Sequence, residues 1–429
     1  MGEKNDALVL GGGGREHAIV HALSKSNVIG KIHCAPGNPG IAELARIHDA
    51  DPCDAEVILA LCEKNGIRFV LIGPEAPLVV GLSDTLRGAG IKVFGPGAEG
   101  ARLEGSKAFA KGFMKRHGIP TAPFDVCHSE DGCAAALAKR KPPFVIKADG
   151  LAAGKGVFLP DDAGEAMKIC RGLLSGETLG ESGRTLIIED YLPGYELTVL
   201  AVTDGKSFRL LPPSRDHKRV YDGDKGPNTG GMGSYSPVRL PVCIPQRTAD
   251  EVMRPTLSGL ASEGIEYRGV IYMGLMLIET GDETKISVVE YNVRFGDPET
   301  QSVLPLLRED FGRLALSAAE GALRGRSEAE YGGHAFCVVM ASGGYPGKFR
   351  KGMVISGLGD ESAPAGTFVY HAGTAKNDEG EIVTSGGRVL SVVGTGDDFA
   401  AARKNAYARV AGITFGDMHY RRDIGWSEE

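Results

Sequence analysis

The chain predicts a multidomain α/β and α+β protein: an N-terminal doubly wound parallel sheet, a mixed central region and a small α+β tail. Three observations carry this. Residues 1–104 alternate short apolar strands with helical stretches, the rhythm of parallel strands joined by helical crossovers. The centre holds a glycine-rich turn directly behind an apolar strand, followed by a long glycine-rich segment. Beyond about residue 330 the pattern breaks into short strands punctuated by Gly-Gly and Pro-Gly pairs, then one helix.

In order, residues 7–10 read as a strand, 15–25 as a helix, 32–34 as a strand and 55–64 as a helix capped by Asp54. Strands at 69–72 and 93–94 complete the N-terminal set. Ligands on such sheets gather at the carboxyl ends of strands, which is where Gly11–Gly14, residues 36–40 and Gly73-Pro74-Glu75 fall. Gly105-Ser106-Lys107 opens an amphipathic helix to His117, stopped by Gly118-Ile119-Pro120. A helix at 163–174, a strand at 185–189 and a final helix at 399–410 follow. The expected domains are 1–104, 105–328 with a smaller subdomain at 120–194 inserted, and 329–429.

A formal net charge of −7 argues against a nucleic-acid binder, whose phosphate contacts favour a basic surface. No apolar run approaches the ~18 residues of a membrane span, and the N-terminus has no apolar signal core. The eight cysteines are scattered without a C-x-x-C pair, so reduced thiols in the cytoplasm are expected rather than a disulfide framework or a zinc site.

Three stretches carry chemistry. In residues 144–157, three glycines and three alanines let backbone N–H groups approach an anion without Cβ atoms intervening, and Lys147 and Lys155 flank the turn. This is not a Walker A loop. Gly150-x-x-x-Gly154-Lys155 is one residue short, and Gly156 stands where the magnesium-binding hydroxyl belongs. In residues 288–299, period-two alternation puts Glu290, Asn292 and Arg294 on one strand face and Val289, Tyr291 and Val293 on the other. Neighbouring carboxylate and amide oxygens suit Mg²⁺, and Arg294 could stabilise a charged transition state. In residues 214–233, Ser214-Arg215-Asp216-His217-Lys218-Arg219 leads into Gly226–Gly233, a segment too glycine-rich for regular structure. Long loops of that kind are commonly lids, although composition alone would equally fit a disordered surface loop. No nucleophilic Ser or Cys is placed beside His217, which reads as structural or surface-exposed. At the N-terminus, Glu16 occupies the third glycine position of a dinucleotide fingerprint. The turn still suits a single phosphate, with Arg15 as a bidentate clamp.

Taken together the chain resembles the ATP-grasp carboxylate–amine ligases, and among them the glycinamide ribonucleotide synthetase family. The motifs run in order along nearly the whole chain: GGREHA (13–18), APGNPG (35–40), GPEAPL (73–78), LEGSKAF (103–109), KADGLAAGKGV (147–157), DHKR (216–219), GPNTGGMG (226–233) and EYNVRFGDPETQ (290–301). The resemblance implies a central ATP-grasp domain and ATP-dependent ligation of glycine to 5-phosphoribosylamine through a glycyl phosphate. The near alternative is another grasp ligase or carboxylase of purine metabolism. It further implies that Lys107, Lys147, Gly154 and Lys155 attend ATP, with Glu189, Tyr191 and Leu192 as an adenine hinge and Glu196 on the ribose. Glu290 and Asn292 would hold Mg²⁺ or Mn²⁺. Asp216, Lys218 and Arg294 would hold glycine and the acyl phosphate, Asp216 and Arg294 as catalytic groups. Gly13, Arg15, Asn38, Gly40 and Glu75 would bind phosphoribosylamine. The implied partners are these small molecules, with the chain acting as a monomer. One departure stands out: many grasp enzymes carry an acidic metal ligand three residues after the glycine of the preceding strand. Here Leu277 follows Gly274 at that offset, and Glu279 is the nearest acid.

Overall fold

The computed structural model describes residues 4–151, 156–178, 180–281, 283–360 and 362–426. The N-terminal region is the expected parallel sheet. Strands β1 (Asn5–Gly11), β2 (Ile29–Pro36), β3 (Arg46–Ile47), β4 (Phe69–Ile72) and β5 (Lys92–Phe94) lie in the order β3-β2-β1-β4-β5. All its pairings are parallel. Ala7–Leu10 and Phe69–Leu71 are fully buried, which is why these strands read as continuous apolar runs rather than alternating ones. The order reverses between β1 and β4, so the crevice beyond Gly11 and Ile72 is the switch point where such sheets bind ligands. Helix α1 (Gly14–Ser24) starts there. Asp54 caps Ala55–Asn65 by accepting from the Glu56 and Val57 amides, as its position predicts.

The helix expected from Gly105-Ser106-Lys107 to His117 is present as Lys107–Arg116, and a further helix, Ala98–Gly105, precedes it. Ala98–Gly105 ends at Ser106, whose hydroxyl then caps Lys107–Arg116 by accepting from the Phe109 amide. A small antiparallel sheet follows, in the order Phe124–Cys127, Leu186–Glu189, Val145–Ala148, Val157–Phe158. Helices Glu130–Ala138 and Ala163–Leu174 supply the rest of its own apolar core. A second antiparallel sheet runs Phe208–Leu210, Tyr195–Thr203, Gly269–Thr280, Glu283–Asn292.

The DHKR–GPNTGGMG segment differs from its expectation as an irregular loop. Arg215–Asp216 and Gly233–Ser236 are strands of a six-stranded sheet completed by His334–Ser342, Arg388–Gly396, Thr367–His371 and Met418–His419. Between them, Arg219–Tyr221 and Lys225–Asn228 form a short hairpin. Glycine there permits close packing: a Cβ on Gly233 would lie 2.6 Å from the Cys337 carbonyl oxygen. The central and C-terminal regions thus share one sheet across the boundary drawn at residue 328. His217 is structural, accepting a hydrogen bond from the Gly425 amide at Nε2.

Candidate active site

Three lysines converge where the small sheet faces the strand Glu283–Asn292. Lys147, on the strand Val145–Ala148, and Lys111, on the helix Lys107–Arg116, both reach Glu189 at the end of its strand. The Lys111 ammonium donates to Glu189 Oε2 at 2.9 Å and to Thr121 Oγ1 at 2.7 Å. Lys147 Nζ lies 3.1 Å from Glu189 Oε1, but its hydrogen bond goes to the Val289 carbonyl at 3.2 Å. Glu189 Oε1 is therefore a buried acceptor without an aligned donor. Lys107 donates to the Gly150 carbonyl at 3.0 Å. Asp149 ties the glycine turn to the helix start, accepting from the Ala108 amide and the Ser106 hydroxyl. Gly154 and Lys155 lie outside the described residues. Beyond Glu189, Tyr191 is exposed and Leu192 half-buried.

Glu290 and Asn292 share a face, as alternation requires, and Tyr291 and Val293 are buried on the other. Val289 departs from the pattern. A bulge pairs Gly274 with Glu290 and Leu275 with Val288, leaving Val289 as the extra residue, and its carbonyl serves Lys147. Burial would raise the Glu290 pKa, yet Lys218, Lys147, Lys107 and Arg294 hold it below the ordinary carboxylate value. A carboxylate kept ionised beside an amide oxygen is a donor pair that fits a hard divalent ion. Among the described residues no group of three or more His, Cys, Asp or Glu could hold a metal, so remaining ligands would come from phosphate oxygens and water. Glu279 does not supplement the pair. It is exposed and sits opposite Thr284, five residues from the Gly274–Glu290 pairing, roughly 16 Å along the strand.

Arg294 joins this site to the N-terminal sheet. Its guanidinium lies 2.9 Å from Glu104 Oε1 and 3.3 Å from Glu75 Oε2, and donates to Asn292 Oδ1 at 3.3 Å. Glu75 follows β4, so the switch-point crevice opens onto Arg294. Burial would raise the Glu75 carboxyl, but Arg294, with Arg15 assisting, holds it below the ordinary carboxylate value. Glu104 is held by the Val293 amide at 2.8 Å, yet burial still raises its pKa.

Asp216 and Lys218 form the opposite wall. Lys218 pairs with Glu196, and Asp216, Glu196, Tyr272 and Glu290 all act on it to raise its pKa against the burial penalty. Burial pushes Asp216 up to about 7; Glu299 and Glu196 add to this and Lys218 opposes it. Glu299 accepts from the Tyr272 hydroxyl at 2.9 Å, and its pKa is likewise raised by burial. This wall gathers three carboxyl groups around one ammonium, and a cationic ligand group placed there would favour the ionised form of Asp216.

The N-terminal glycine turn is arranged differently from a free phosphate cradle. Glu16 folds back so that Oε2 accepts from the Gly13 amide at 2.7 Å and Oε1 accepts from Arg15 Nε at 2.6 Å. The turn's glycines make room for this carboxylate: a Cβ on Gly11 or Gly73 would collide with it. Arg15 also donates to the Phe295 carbonyl at 3.0 Å, so it bridges two domains rather than standing apart in one. Asn38 does not face the crevice with a free amide. It donates to the Gly12 and His371 carbonyls and accepts from the Ile41 amide. Gly40 packs against the imidazoles of His17 and His371. Both residues therefore hold the N-terminal turn against the C-terminal sheet, leaving Glu75 and Arg15 as the members of the set that reach Arg294 and its loop.

Several participants were not singled out from the sequence. Asp297 is bracketed by Arg388, at 2.9 Å, and Gln301, at 2.7 Å. Arg388, from the C-terminal sheet, also donates to the carbonyls of Gly230 and Asp297. Lys111 carried one signal: it lies four residues after Lys107, on the same helix face. Two lysines so placed repel unless a carboxylate stands between other cations and one of them, and Glu189 supplies it.

A small sheet clamped over an antiparallel sheet, with lysines facing a Glu–Asn strand end, defines the ATP-grasp class. The chain belongs to the phosphoribosylglycinamide synthetase family. The models for that synthetase's N domain, ATP-grasp (A) domain and C domain match residues 5–104, 105–300 and 335–427. It is 43% identical over 422 residues to the phosphoribosylamine–glycine ligase of Escherichia coli (strain K12), covering 98% of this chain and 97% of that one. With the same-named protein of Caldanaerobacter subterraneus it shares 44% over 421 residues, covering 97% and 98%. The crystal structure of phosphoribosylamine–glycine ligase from Thermotoga maritima superposes with a TM-score of 0.85 at 39% identity, covering 97% of this chain and 99% of that one. A Campylobacter jejuni biotin carboxylase shares the fold at 13% identity, with a TM-score of 0.75 and coverage of 97% and 93%.

Proposed function

We propose that this chain joins glycine to 5-phosphoribosylamine at the expense of ATP, giving glycinamide ribonucleotide, ADP and phosphate, a step of purine synthesis. The single observation that carries the reading is the Arg294 junction. Two residues beyond the Glu290–Asn292 pair, a guanidinium reaches the switch-point crevice of the N-terminal sheet through Glu75. An ATP-facing half and a second-substrate half thus meet at one side chain.

The chemistry assigns the parts. A carboxylate is a poor electrophile until one oxygen becomes a good leaving group. A glycine carboxylate oxygen attacks the γ-phosphorus of ATP, forming glycyl phosphate and releasing ADP. The amine then attacks the acyl carbon, and the C–O bond breaks so that phosphate leaves with one former carboxylate oxygen. Lys107 and Lys147 meet the ATP phosphates, joined by Gly154 and Lys155. Glu189 Oε1, buried without an aligned donor, suits the adenine 6-amino group, with Tyr191 and Leu192 alongside and Glu196 toward the ribose. Glu290 and Asn292 would hold Mg²⁺ or Mn²⁺, which supplies neutralisation of the transferring phosphoryl charge. Arg294 holds the glycine carboxylate and the acyl phosphate that succeeds it. Asp216, in its carboxylate-rich wall beside Lys218, meets the glycine ammonium. Arg15 and Glu75 line the phosphoribosylamine crevice; Gly13 shapes it, and Asn38 and Gly40 brace it from behind.

The eight cysteines are free thiols, in keeping with a cytosolic enzyme, and we take the working unit to be a monomer. No described helix is long and apolar enough to cross a membrane. A substrate matrix tests the reading: ATP turnover with glycine alone, phosphoribosylamine alone, both, or bicarbonate. Turnover should require glycine and phosphoribosylamine together. Full turnover with bicarbonate replacing glycine would refute it.

A further inference from the structure

The groups around Glu189 pose a question that the proposed chemistry does not answer. Lys147 must face ATP phosphates when nucleotide is bound, yet here it stands against a buried carboxylate. Glu189, Lys111 and Lys147 are exposed by only 3%, 2% and 4%. Were Lys147 the only counter-ion of Glu189, withdrawing it would leave a buried anion unpartnered, which strongly opposes the movement.

We propose that Lys111 is a positioning residue: the standing counter-ion of Glu189, which frees Lys147 to move onto the ATP phosphates. The inference rests on the ATP reading above. The two lysines are held unequally. Lys111 makes two hydrogen bonds, to Glu189 Oε2 and Thr121 Oγ1, and Thr121 is anchored in turn on the Val288 carbonyl at 2.7 Å. Lys147 makes an unaligned contact with the other oxygen, which is left without a hydrogen bond. The tightly held lysine therefore comes from the helix Lys107–Arg116 and the loosely held one from the small sheet. When Lys147 leaves, Lys111 still neutralises the carboxylate, and Oε1 becomes available to a ligand donor. Burial has already brought Lys111 down to about 8, with Glu189 opposing that shift. Its position does not bring it to the phosphates: Glu189 and Thr121 occupy its ammonium.

The test is a double-mutant cycle read by binding of inorganic tripolyphosphate and MgATP to the full chain. Tripolyphosphate has no adenine, so it isolates the phosphate end from any adenine contact of Glu189. Lys111→Met should weaken tripolyphosphate binding at least about tenfold, because Lys147 becomes the sole counter-ion of Glu189. In a Glu189→Gln background the same Lys111→Met change should alter affinity less than about threefold, since no buried anion then retains Lys147. A structural or simple attractive role for Lys111 would give equal losses in both backgrounds, and that result would overturn the inference. Thermal melts identify variants that fail to fold. Lys111→Gln, which retains a donor for Thr121, reads the same coupling if Lys111→Met does not fold. If the wild type binds neither tripolyphosphate nor MgATP, the ATP reading falls as well. Wild-type binding with an indifferent Lys111→Met removes this inference alone.

Discussion

Replacing Glu290 with Gln should separate metal binding from nucleotide binding. Burial would ordinarily raise this carboxyl's pKa, but four surrounding cations hold it below the usual value. The amide is nearly isosteric, so packing against Gly274, where a Cβ would lie 3.2 Å from Glu290 Cγ, is preserved. What changes is one formal charge. Groups that merely support a metal ligand already cost ~10–100-fold in affinity when removed. Loss of a direct carboxylate ligand should therefore raise the Mg²⁺ half-saturation for turnover by ~100-fold, equivalent to about 2.7 kcal/mol. Metal-free ATP should respond in the opposite sense. Lys218, Lys147, Lys107 and Arg294 no longer share their field with a fixed anion, so its affinity should hold or rise. The assay is steady-state turnover across a magnesium titration, paired with ATP binding in chelator and a thermal melt as folding control. An ordinary ion-pair residue would cost at most about 1 kcal/mol and leave the metal requirement alone. Wild-type magnesium dependence would remove Glu290 from the metal site.

Three further outcomes follow from named contacts. Arg15→Ala should raise KM for phosphoribosylamine with a smaller change in KM for ATP; equal losses would show that its Phe295 contact serves the ATP side instead. Arg388→Met should unhook the Gly230 carbonyl from Asp297 and lower kcat without unfolding the chain, checked by turnover beside a melt; unchanged kcat would make the contact incidental. Burial lowers His17 to about 3 and His21 and His371 to about 4 from an ordinary 6.5. The unfolded chain therefore binds more protons below 6.5, so stability should be full above that pH and fall as pH drops toward 4. Urea midpoints between pH 7.5 and 4.5 should show this decline, shallower in His17→Gln, and a flat profile would contradict it.

Much of this was legible in the sequence, for identifiable reasons. Strands β1 and β4 announced themselves because parallel strands buried on both faces must be apolar throughout. Glu290 and Asn292 followed from strand alternation, and Asp54 from cap chemistry. What was hidden depended on the partner that a polar side chain finds. Nothing local indicates that Glu16 folds back onto the Gly13 amide, or that the Asn38 amide is consumed by backbone carbonyls from two domains. Glycine content suggested irregular structure for residues 226–233, whereas there it permits close approach of a strand to Cys337. The Val289 bulge depends on the register with Gly274, which alternation cannot report. Glu104 and Arg388 are ordinary helix and strand charges until the fold brings them to Arg294 and Asp297.

The central claim is that ATP activates the glycine carboxylate, and the most direct measurement follows its oxygen. Glycine labelled with ¹⁸O in both carboxylate positions is turned over with ATP and phosphoribosylamine in unlabelled water, and the released phosphate is analysed by mass. Each phosphate should carry one ¹⁸O, because the oxygen that bonded to phosphorus leaves with it when the amine displaces the acyl phosphate. Phosphate carrying only unlabelled oxygen would mean that water, not glycine, receives the phosphoryl group, and would contradict the account.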